Sequence, residues 1–275
     1  MRAFRSLLFV PGSRPDRFSK AAESGADAVC IDLEDAVAPA EKDEARKTVL
    51  RYLAAPQAGC AIGFRINALS TIDAWRDLVA FADSAAAPAF MMIPKTSSGG
   101  ELHRLRAALG KRCPPLWPLV EGPDALDALA SIAAAAAPDG GVMLGGVDYA
   151  AAIGAELGWD ALYHVRARLV AAAAAAGCDS IDAPFLSAQD LAGLEAETLR
   201  IRSMGFGGRA AIHPAQVETI NRIFTPDAAA ISKAERIAAA FADAGGGVAL
   251  VEGALVEKPV NAAALRILAA APKAP

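Results

Sequence analysis

The sequence predicts an α/β protein built as a (β/α)8 TIM barrel with a C-terminal helical extension. Its 275 residues suit one large barrel. Eight short apolar segments, the predicted strands, alternate with helical segments. The predicted strands are almost continuously apolar, which is typical of a parallel sheet buried on both faces. The predicted strands are SLLFVPG, DAVCIDLE, AIGFRIN, AFMMIPK, PPLWPLVE, GGVMLGGVD, DSIDAPFL and GRAAIHP.

The segments between these strands have the composition of helices. Helix-forming residues predominate, apolar side chains recur three and four positions apart, and many of the segments end at a glycine. They are PDRFSKAAESG, EKDEARKTVLRYLAA, TIDAWRDLVAFADS, GGELHRLRAALG, DALDALASIAAAAA, ALYHVRARLVAAAAAAG and DLAGLEAETLRIRSMG. Together with the strands they define a catalytic barrel domain over residues 1–224.

Residues 225–275 exceed what a barrel needs. They predict about two further helices separated by a glycine hinge. The glycines at 245–247 precede the apolar stretch VALVEGALVEKPV, which is typical of a small hairpin or of an arm that docks on a neighbour. We therefore expect this extension to pack on another subunit of a homo-oligomer.

Composition and charge exclude several classes of function. Although 54% of the residues are hydrophobic, no run approaches the ~18 apolar residues of a membrane-spanning helix. The first apolar run stops at Pro11, too early for a secretory signal. A net charge of −4 without a basic block offers little to nucleic acid. The four cysteines lack the spacing of a disulfide framework or a zinc site, which is typical of reduced thiols in the cytoplasm. Taken together, these observations lead us to expect a soluble, cytoplasmic protein that binds a small molecule.

Polar residues stand in or just after the predicted strands. In a TIM barrel the carboxyl ends of all strands open on one face, where active sites lie. We expect the following side chains to converge there: Asp32, Glu34 and Asp35 from the second strand, Arg65 and Asn67 from the third, Lys95, Glu121, Asp148 and Asp182 from the fourth to the seventh, and His213 from the eighth.

A rim so rich in carboxylates predicts a bound cation. Oxygen ligands without paired histidines or cysteines favour Mg²⁺ or Mn²⁺. Glu121 and Asp148 are the predicted ligands, because each stands alone at the end of an apolar strand; capping of the helices that follow is the alternative. Asp32, Glu34 and Asp35 are expected to support the site, although a solvated loop before an acidic helix start explains Glu34 and Asp35 about as well.

Other rim residues point to substrate binding. Arg65 offers a planar fork for a substrate carboxylate or enolate oxygen, or else pairs with the acids beside it. Gly145 and Gly146 let backbone N–H groups approach an anion closely. Lys95 is interpreted as exposed rather than as a Schiff-base lysine, and His213 as a hydrogen-bonded shape element.

Several stretches resemble the HpcH/HpaI aldolase and citrate lyase β-subunit superfamily, on its CitE-like branch. They are RSLLFVPGSRPDRFSKAAESGADAVCIDLEDAVAPAEKDEAR, FRIN, LVEGPDAL, LGGVDYAAAIG and AAIHPAQVETINRIF. The resemblance implies a (β/α)8 barrel, commonly a trimer or a dimer of trimers. It also implies a magnesium-dependent enzyme that cleaves or forms carbon–carbon bonds in citryl, malyl or citramalyl thioesters, giving acetyl-CoA and an oxo-acid.

The resemblance also implies roles for particular residues. Glu121 and Asp148 match the metal ligands, and Arg65 matches the arginine that binds the oxo-acid. The PGSRPDRF turn, with Ser13 and Arg14, lies near where the family accommodates coenzyme A.

One departure concerns the C-terminal extension. Relatives carry a catalytic aspartate in a MID.P motif that acts over a neighbouring subunit's site, and this chain has Glu257 in LVEKP instead. The extra methylene shifts the reach of the carboxylate by about one bond, and a small misplacement can cost ~100-fold in rate.

The sequence thus predicts a magnesium-dependent carbon–carbon lyase that uses Arg65 and Glu257 in catalysis. Two alternatives remain open. One is a class II aldolase for pyruvate-derived hydroxy acids that needs no thioester, and the other is a non-catalytic subunit that binds an oxo-acid.

Overall fold

A computed structural model describes residues 4–55, 59–137 and 139–271. The chain divides into two compact units, one ending at Asn221 and the other beginning at Arg222. Within the described residues, no helix combines the length and apolar composition needed to cross a membrane.

The first unit is a closed barrel of eight parallel strands, which confirms the predicted fold. Each strand pairs with the next along the chain, and the first pairs with the eighth. The strands are β1 Ser6–Pro11, β2 Ala28–Asp32, β3 Ala61–Arg65, β4 Met91–Ile93, β5 Leu116–Val120, β6 Gly141–Leu144, β7 Asp179–Asp182 and β8 Gly208–Ala211.

Helices follow the strands and surround the barrel. They are α1 Phe18–Ala22, α2 Lys42–Ala54, α3 Ile72–Asp83, α4 Gly99–Leu109, α5 Pro123–Asp127, α6 Leu129–Ala136, α7 Gly146–Ala152, α8 Trp159–Ala176, α9 Leu191–Met204 and α10 Val217–Phe224. Their ends follow ordinary capping chemistry. The Asp190 side chain accepts the N–H of Gly193 at the start of α9, and Gly177 and Gly205 end α8 and α9 with left-handed backbones.

The inside of the barrel is filled by apolar side chains from alternate strand positions. Phe4, Phe90 and Trp117 pack against one another there, with ring centroids 5.5–6.4 Å apart. The remaining buried members of this cluster are Leu7, Ala28, Cys30, Met92, Leu119, Met143, Ile181 and Ala210. The barrel is therefore a packed core whose functional surface is its rim.

The sixth strand ends earlier than predicted. It stops at Leu144, and Gly145, whose N–H bonds to the Val120 carbonyl at 2.9 Å, leads directly into α7. Asp148 therefore does not end a strand, as the sequence suggested, but lies in the first turn of α7.

The second unit contains two helices and a hairpin. Helix α11 Ala228–Asp243 packs against α12 Lys258–Ala270, and between them β9 Ala249–Val251 pairs antiparallel with β10 Ala254–Val256. The two-residue turn has φ of 52° at Glu252 and 79° at Gly253, the positive values that a tight hairpin turn favours. The predicted hairpin is thus confirmed.

Candidate active site

Asp32 and Arg65 form the first pair of the rim. They are neighbours in the register of β2 and β3, so their side chains leave the sheet side by side. Arg65 donates from Nε and Nη2 to the two carboxylate oxygens of Asp32, both at 2.7 Å. Asp32 also accepts the N–H groups of Glu34 and Ala36, at 2.9 and 3.0 Å. Burial alone would lower the pKa of Arg65, but the hydrogen bonds and charge of Asp32 raise it, so the pair is fixed and ionic.

Glu34 lies between two cations. Its Oε1 accepts from Lys95 Nζ at 2.5 Å, and its Oε2 lies 2.9 Å from Arg65 Nη1. The second contact is not aligned as a hydrogen bond, so Oε2 is buried without a hydrogen-bond partner. Burial raises the pKa of Glu34, while Arg65 and Lys95 oppose that rise. The exposed neighbour Asp35 lies 3.5 Å from the same Lys95 ammonium.

Lys95 connects this ion network to Glu121. Its backbone φ is +50°, a conformation uncommon for residues other than glycine and one that clusters at functional sites. The N–H of Lys95 donates to Glu121 Oε2 at 2.6 Å, while its side chain, 42% exposed, reaches Glu34. Lys95 is therefore a paired residue of the rim and not an isolated exposed lysine.

Glu121 is the most strongly perturbed acid of the rim. It follows β5 and is buried, and its Oε1 accepts no hydrogen bond from the described residues. Burial and the nearby charge of Glu34 raise its pKa to about 7. The side chain lies across Gly145, where an added Cβ would stand 2.6 Å from Oε1, so only a glycine fits. A buried carboxylate with one free oxygen fits a bound cation.

Asp148 supplies the second candidate ligand. It is half-buried in the first turn of α7, and its carboxylate makes no hydrogen bond or ion pair with any residue that the structure describes. Because β5 and β6 are neighbours in the barrel, the segments that follow them and carry Glu121 and Asp148 are adjacent. The pair offers carboxylate oxygens alone, as Mg²⁺ prefers.

Lys42 and Asn67 support the rim; the sequence placed Asn67 at this face, whereas it gave Lys42 no role there. Lys42 Nζ donates to the carbonyls of Leu33 and Glu34 and to Asn67 Oδ1, at 2.9, 2.8 and 2.6 Å. Asn67 in turn donates to Asp77, a buried acid on the apolar side of α3. That one signal, a charged residue on an apolar helix face, was available in the sequence.

The rim carries more negative than positive charge. Among the residues that the structure describes there, carboxylates outnumber cationic side chains by two. The carboxylates belong to Asp32, Glu34, Asp35, Glu121 and Asp148, and the cations to Arg65, Lys95 and Lys42. Across residues 4–55, 59–137 and 139–271, no three metal-ligating side chains form a closed cluster. A cation held by two carboxylates that keeps positions open for substrate and water fits this arrangement.

Asp182 does not lie at the rim, so its prediction as a rim residue was wrong. It is buried and accepts from Nε and Nη2 of Arg166 in α8, both at 3.0 Å. Arg166 also donates to Glu197 at 2.7 Å, and Arg209 lies 3.1 Å from that same carboxylate. Asp182 thus faces the surrounding helices and belongs to a structural ion network.

The remaining predicted residues take no part in the hydrogen bonds described for the rim. Arg14 is exposed and its guanidinium is paired side-on with Asp16, at 2.9 and 2.8 Å, beside the half-buried Ser13. His213 accepts the N–H of Ala215 through Nδ1 and so caps the turn after β8, as a shape element would. Glu257 belongs to the second unit, where it stands exposed before α12, and its carboxylate has no partner among the described residues.

Comparison with known proteins identifies the family. The model of the HpcH/HpaI aldolase/citrate lyase family matches residues 5–214. The chain belongs to this family. The resemblance seen in the sequence is therefore confirmed.

Relatives of this family member match it over nearly its whole length. A (3S)-malyl-CoA thioesterase of Cereibacter sphaeroides is 38% identical over 92% of the chain and 90% of the relative. An L-malyl-CoA/β-methylmalyl-CoA lyase of Rhodobacter capsulatus is 33% identical over 93% and 91%. Among solved structures, CitE from Mycobacterium tuberculosis in complex with magnesium, acetoacetate and coenzyme A has a TM-score of 0.81 at 33% identity and covers 98% of both chains.

Proposed function

We propose that this family member is a magnesium-dependent carbon–carbon lyase acting on a coenzyme A thioester of a β-hydroxy acid. The observation that carries the proposal is Glu121, a buried acid with one oxygen fixed by Lys95 N–H and the other free, beside the ion network of Arg65. The names of the relatives support the substrate class, since they include malyl-CoA lyases and a citrate lyase β subunit.

Two carboxylates would hold the metal. Glu121 and Asp148 are the proposed ligands, and we expect Mn²⁺ to substitute for Mg²⁺. When bound, the ion supplies Lewis-acid stabilisation of the negative charge that develops during cleavage. Asp32, Glu34 and Asp35 support the site through Arg65 and Lys95.

Other residues bind and orient the substrate. Arg65 receives the carboxylate of the oxo-acid through the guanidinium edge that Asp32 leaves free. The N–H of Gly145 is already bonded to the Val120 carbonyl, so the backbone from Gly146 onward is the part that approaches the same anion. Ser13 and Arg14 border the path of coenzyme A.

The reaction is a retro-Claisen cleavage. The substrate hydroxyl loses its proton and becomes the carbonyl of the oxo-acid, and the bond between its carbon and the carbon next to the thioester breaks. The electron pair passes to the thioester as an enolate, which takes up one proton on carbon to give acetyl-CoA. One proton is released and one is taken up, so the reaction consumes no water. Glu257 of a second copy is the proposed acid for the enolate.

The second unit supports association. Its hairpin exposes Val248, Leu250 and Leu255, each more than half exposed, which is unusual for apolar residues next to one another. We propose that the catalytic barrel, residues 1–224, and the extension, residues 225–275, act in a homo-oligomer, a trimer or dimer of trimers, in the cytoplasm.

The test is cleavage of malyl-, citramalyl- and citryl-CoA with and without magnesium. We expect glyoxylate, pyruvate or oxaloacetate to appear together with acetyl-CoA, and activity to disappear in Glu121→Gln and Asp148→Asn. Glu156→Gln, an exposed acid after α7, is the matched control and should retain activity. Glu257→Asp should retain or raise turnover. Cleavage of free hydroxy acids without coenzyme A would instead indicate the aldolase, and oxo-acid binding without any turnover would indicate the non-catalytic subunit.

Thioester hydrolysis is a second candidate, because the 38%-identical relative is named a thioesterase. Hydrolysis consumes water and releases free coenzyme A with an intact hydroxy acid. Assaying free thiol and oxo-acid in the same reaction distinguishes the two: thiol without oxo-acid supports the thioesterase, and oxo-acid without thiol supports the lyase.

A further inference from the structure

Glu34 is held unequally by its two cations. Its Oε1 accepts an aligned hydrogen bond from Lys95 Nζ at 2.5 Å. Its Oε2 lies 2.9 Å from Arg65 Nη1 but makes no hydrogen bond to it. Lys95 is therefore the hydrogen-bonding anchor of this carboxylate, and Arg65 contributes only electrostatic attraction.

Arg65 has unused donors on its outer edge. Asp32 occupies the edge formed by Nε and Nη2, so the donors left over are those of Nη1 and the second hydrogen of Nη2. These two nitrogens form the end-on fork that suits a carboxylate. Glu34 Oε2 lies close to Nη1, one of these two nitrogens, without accepting a hydrogen bond from it.

We propose that Lys95 is a positioning residue for oxo-acid binding: its ammonium anchors Glu34 and so keeps the outer fork of Arg65 available to the substrate carboxylate. The inference rests on the proposed function, because it takes Arg65 as the carboxylate receptor. It assigns Lys95 no contact with the reacting atoms.

The physical reason is competition between two carboxylates. Glu34 is buried, and a buried carboxylate needs a partner. If the ammonium is removed, the nearest remaining donors are those of Arg65 Nη1, and a small side-chain rotation would bring Glu34 into alignment with them. Glu34 would then occupy the fork that the oxo-acid needs.

The backbone of Lys95 makes a separate contact, so the role of its side chain can be tested independently. Its N–H holds Glu121 Oε2, and replacement of the side chain by another unbranched one leaves both that N–H and the left-handed backbone in place. Removal of the side chain should therefore not weaken magnesium binding, because the N–H contact is kept and a positive charge near Glu121 is lost. Oxo-acid affinity, in contrast, should depend on the ammonium that anchors Glu34.

Calorimetry on the full chain tests this separation. Mg²⁺ is titrated first, and then whichever of glyoxylate, pyruvate and oxaloacetate binds the wild type most tightly. In Lys95→Met, and equally in Lys95→Gln, we expect the Kd for Mg²⁺ to rise by no more than about twofold and the Kd for the oxo-acid to rise about tenfold. The double variant Lys95→Met/Glu34→Gln should restore oxo-acid affinity, because the competing charge is gone. Lys47→Met, an exposed lysine of α2, is the matched control.

Three results would overturn the inference. Unchanged oxo-acid affinity in Lys95→Met would show that no anchor is needed. Failure of the double variant to restore affinity would show that Lys95 acts on the ligand directly or only on folding, which melting curves would reveal. If the wild type itself binds none of the three oxo-acids, the proposed function fails and the inference with it, whereas a defect confined to the variants leaves the proposed function standing.

Discussion

Replacing Glu121 by glutamine should stabilise the metal-free protein at alkaline pH. The acid is buried, and its pKa is raised from an ordinary value of 4.5 to about 7 by burial and by the charge of Glu34. Glutamine keeps the shape of the side chain and an oxygen that can accept the Lys95 N–H. It removes the charge that makes the site unfavourable without a cation.

The magnitude follows from the displacement of the pKa. Because the folded-state pKa lies above the unfolded one, the folded chain binds the proton more tightly, so the free energy of unfolding falls as pH rises from 4.5 towards 7 and levels off above that. At 1.36 kcal/mol per pKa unit, the loss at pH 8 amounts to about 3 kcal/mol. Glu121→Gln should recover most of it at pH 8 and almost none at pH 4.5.

Urea unfolding in chelator at these two pH values measures the effect. Addition of Mg²⁺ should stabilise the wild type at pH 8 and leave Glu121→Gln unchanged, because the variant lacks a ligand. Glu218→Gln, an exposed acid of α10, is the control and should change stability by no more than about 0.5 kcal/mol. A Glu121→Gln protein that is no more stable than wild type at pH 8 would refute the reasoning, since Glu121 would then carry its charge in the folded chain without cost.

Three further predictions concern the rim and its supports. Gly145→Ala should weaken Mg²⁺ binding at least tenfold by calorimetry, because the new methyl group would collide with Glu121. Arg166→Met should lower the free energy of unfolding by about 3–5 kcal/mol in urea, because Asp182 would be left buried and unpaired. Arg65→Lys should weaken oxo-acid binding at least tenfold, since an ammonium cannot hold Asp32 side-on and a second carboxylate end-on.

The first two of these predictions have a matched comparison. In Gly146→Ala the methyl group would meet the side chains of Leu162 and Ala183, at 2.9 and 3.1 Å, and not Glu121, so Mg²⁺ affinity should fall less than in Gly145→Ala. Arg168→Met removes a partly exposed arginine from the same helix as Arg166 and should cost no more than about 1 kcal/mol. Equal effects in the two members of either pair would contradict the assigned contacts. For Arg65→Lys, an unchanged oxo-acid Kd would show that the guanidinium serves only Asp32.

The barrel was predictable because eight short apolar runs alternate with helical segments along the chain. The ends of the strands were harder to predict, because strand pairing stops where the backbone geometry changes and not where the apolar run stops. At β6 the change occurs at Gly145, so Asp148 enters a helix within an apparently continuous GGVMLGGVD segment. The chemistry of the loop was visible in the sequence, while its geometry was not.

Alternation along the strands explains which rim residues sequence reasoning found. Side chains two positions apart share a face of the sheet. Cys30 and Leu119 fill the inside of the barrel, so Asp32 and Glu121, two positions on, emerge at its mouth. Ile181 is also inside, which puts Asp182 on the opposite face, against the helices. Once the strand's inward face is known, this alternation excludes Asp182 from the rim.

Lys95 breaks the same rule for a physical reason. Met92 is inside the barrel, so alternation would assign the rim position to residue 94 and turn Lys95 away from it. The left-handed backbone at Lys95 reverses that direction, aims its N–H at Glu121 and carries its ammonium back across the mouth to Glu34. A non-glycine residue in this conformation gains nothing locally, so the contacts of Lys95 must sustain it. The residue that alternation fails to predict is thus the one that couples the candidate metal ligand to the candidate oxo-acid receptor.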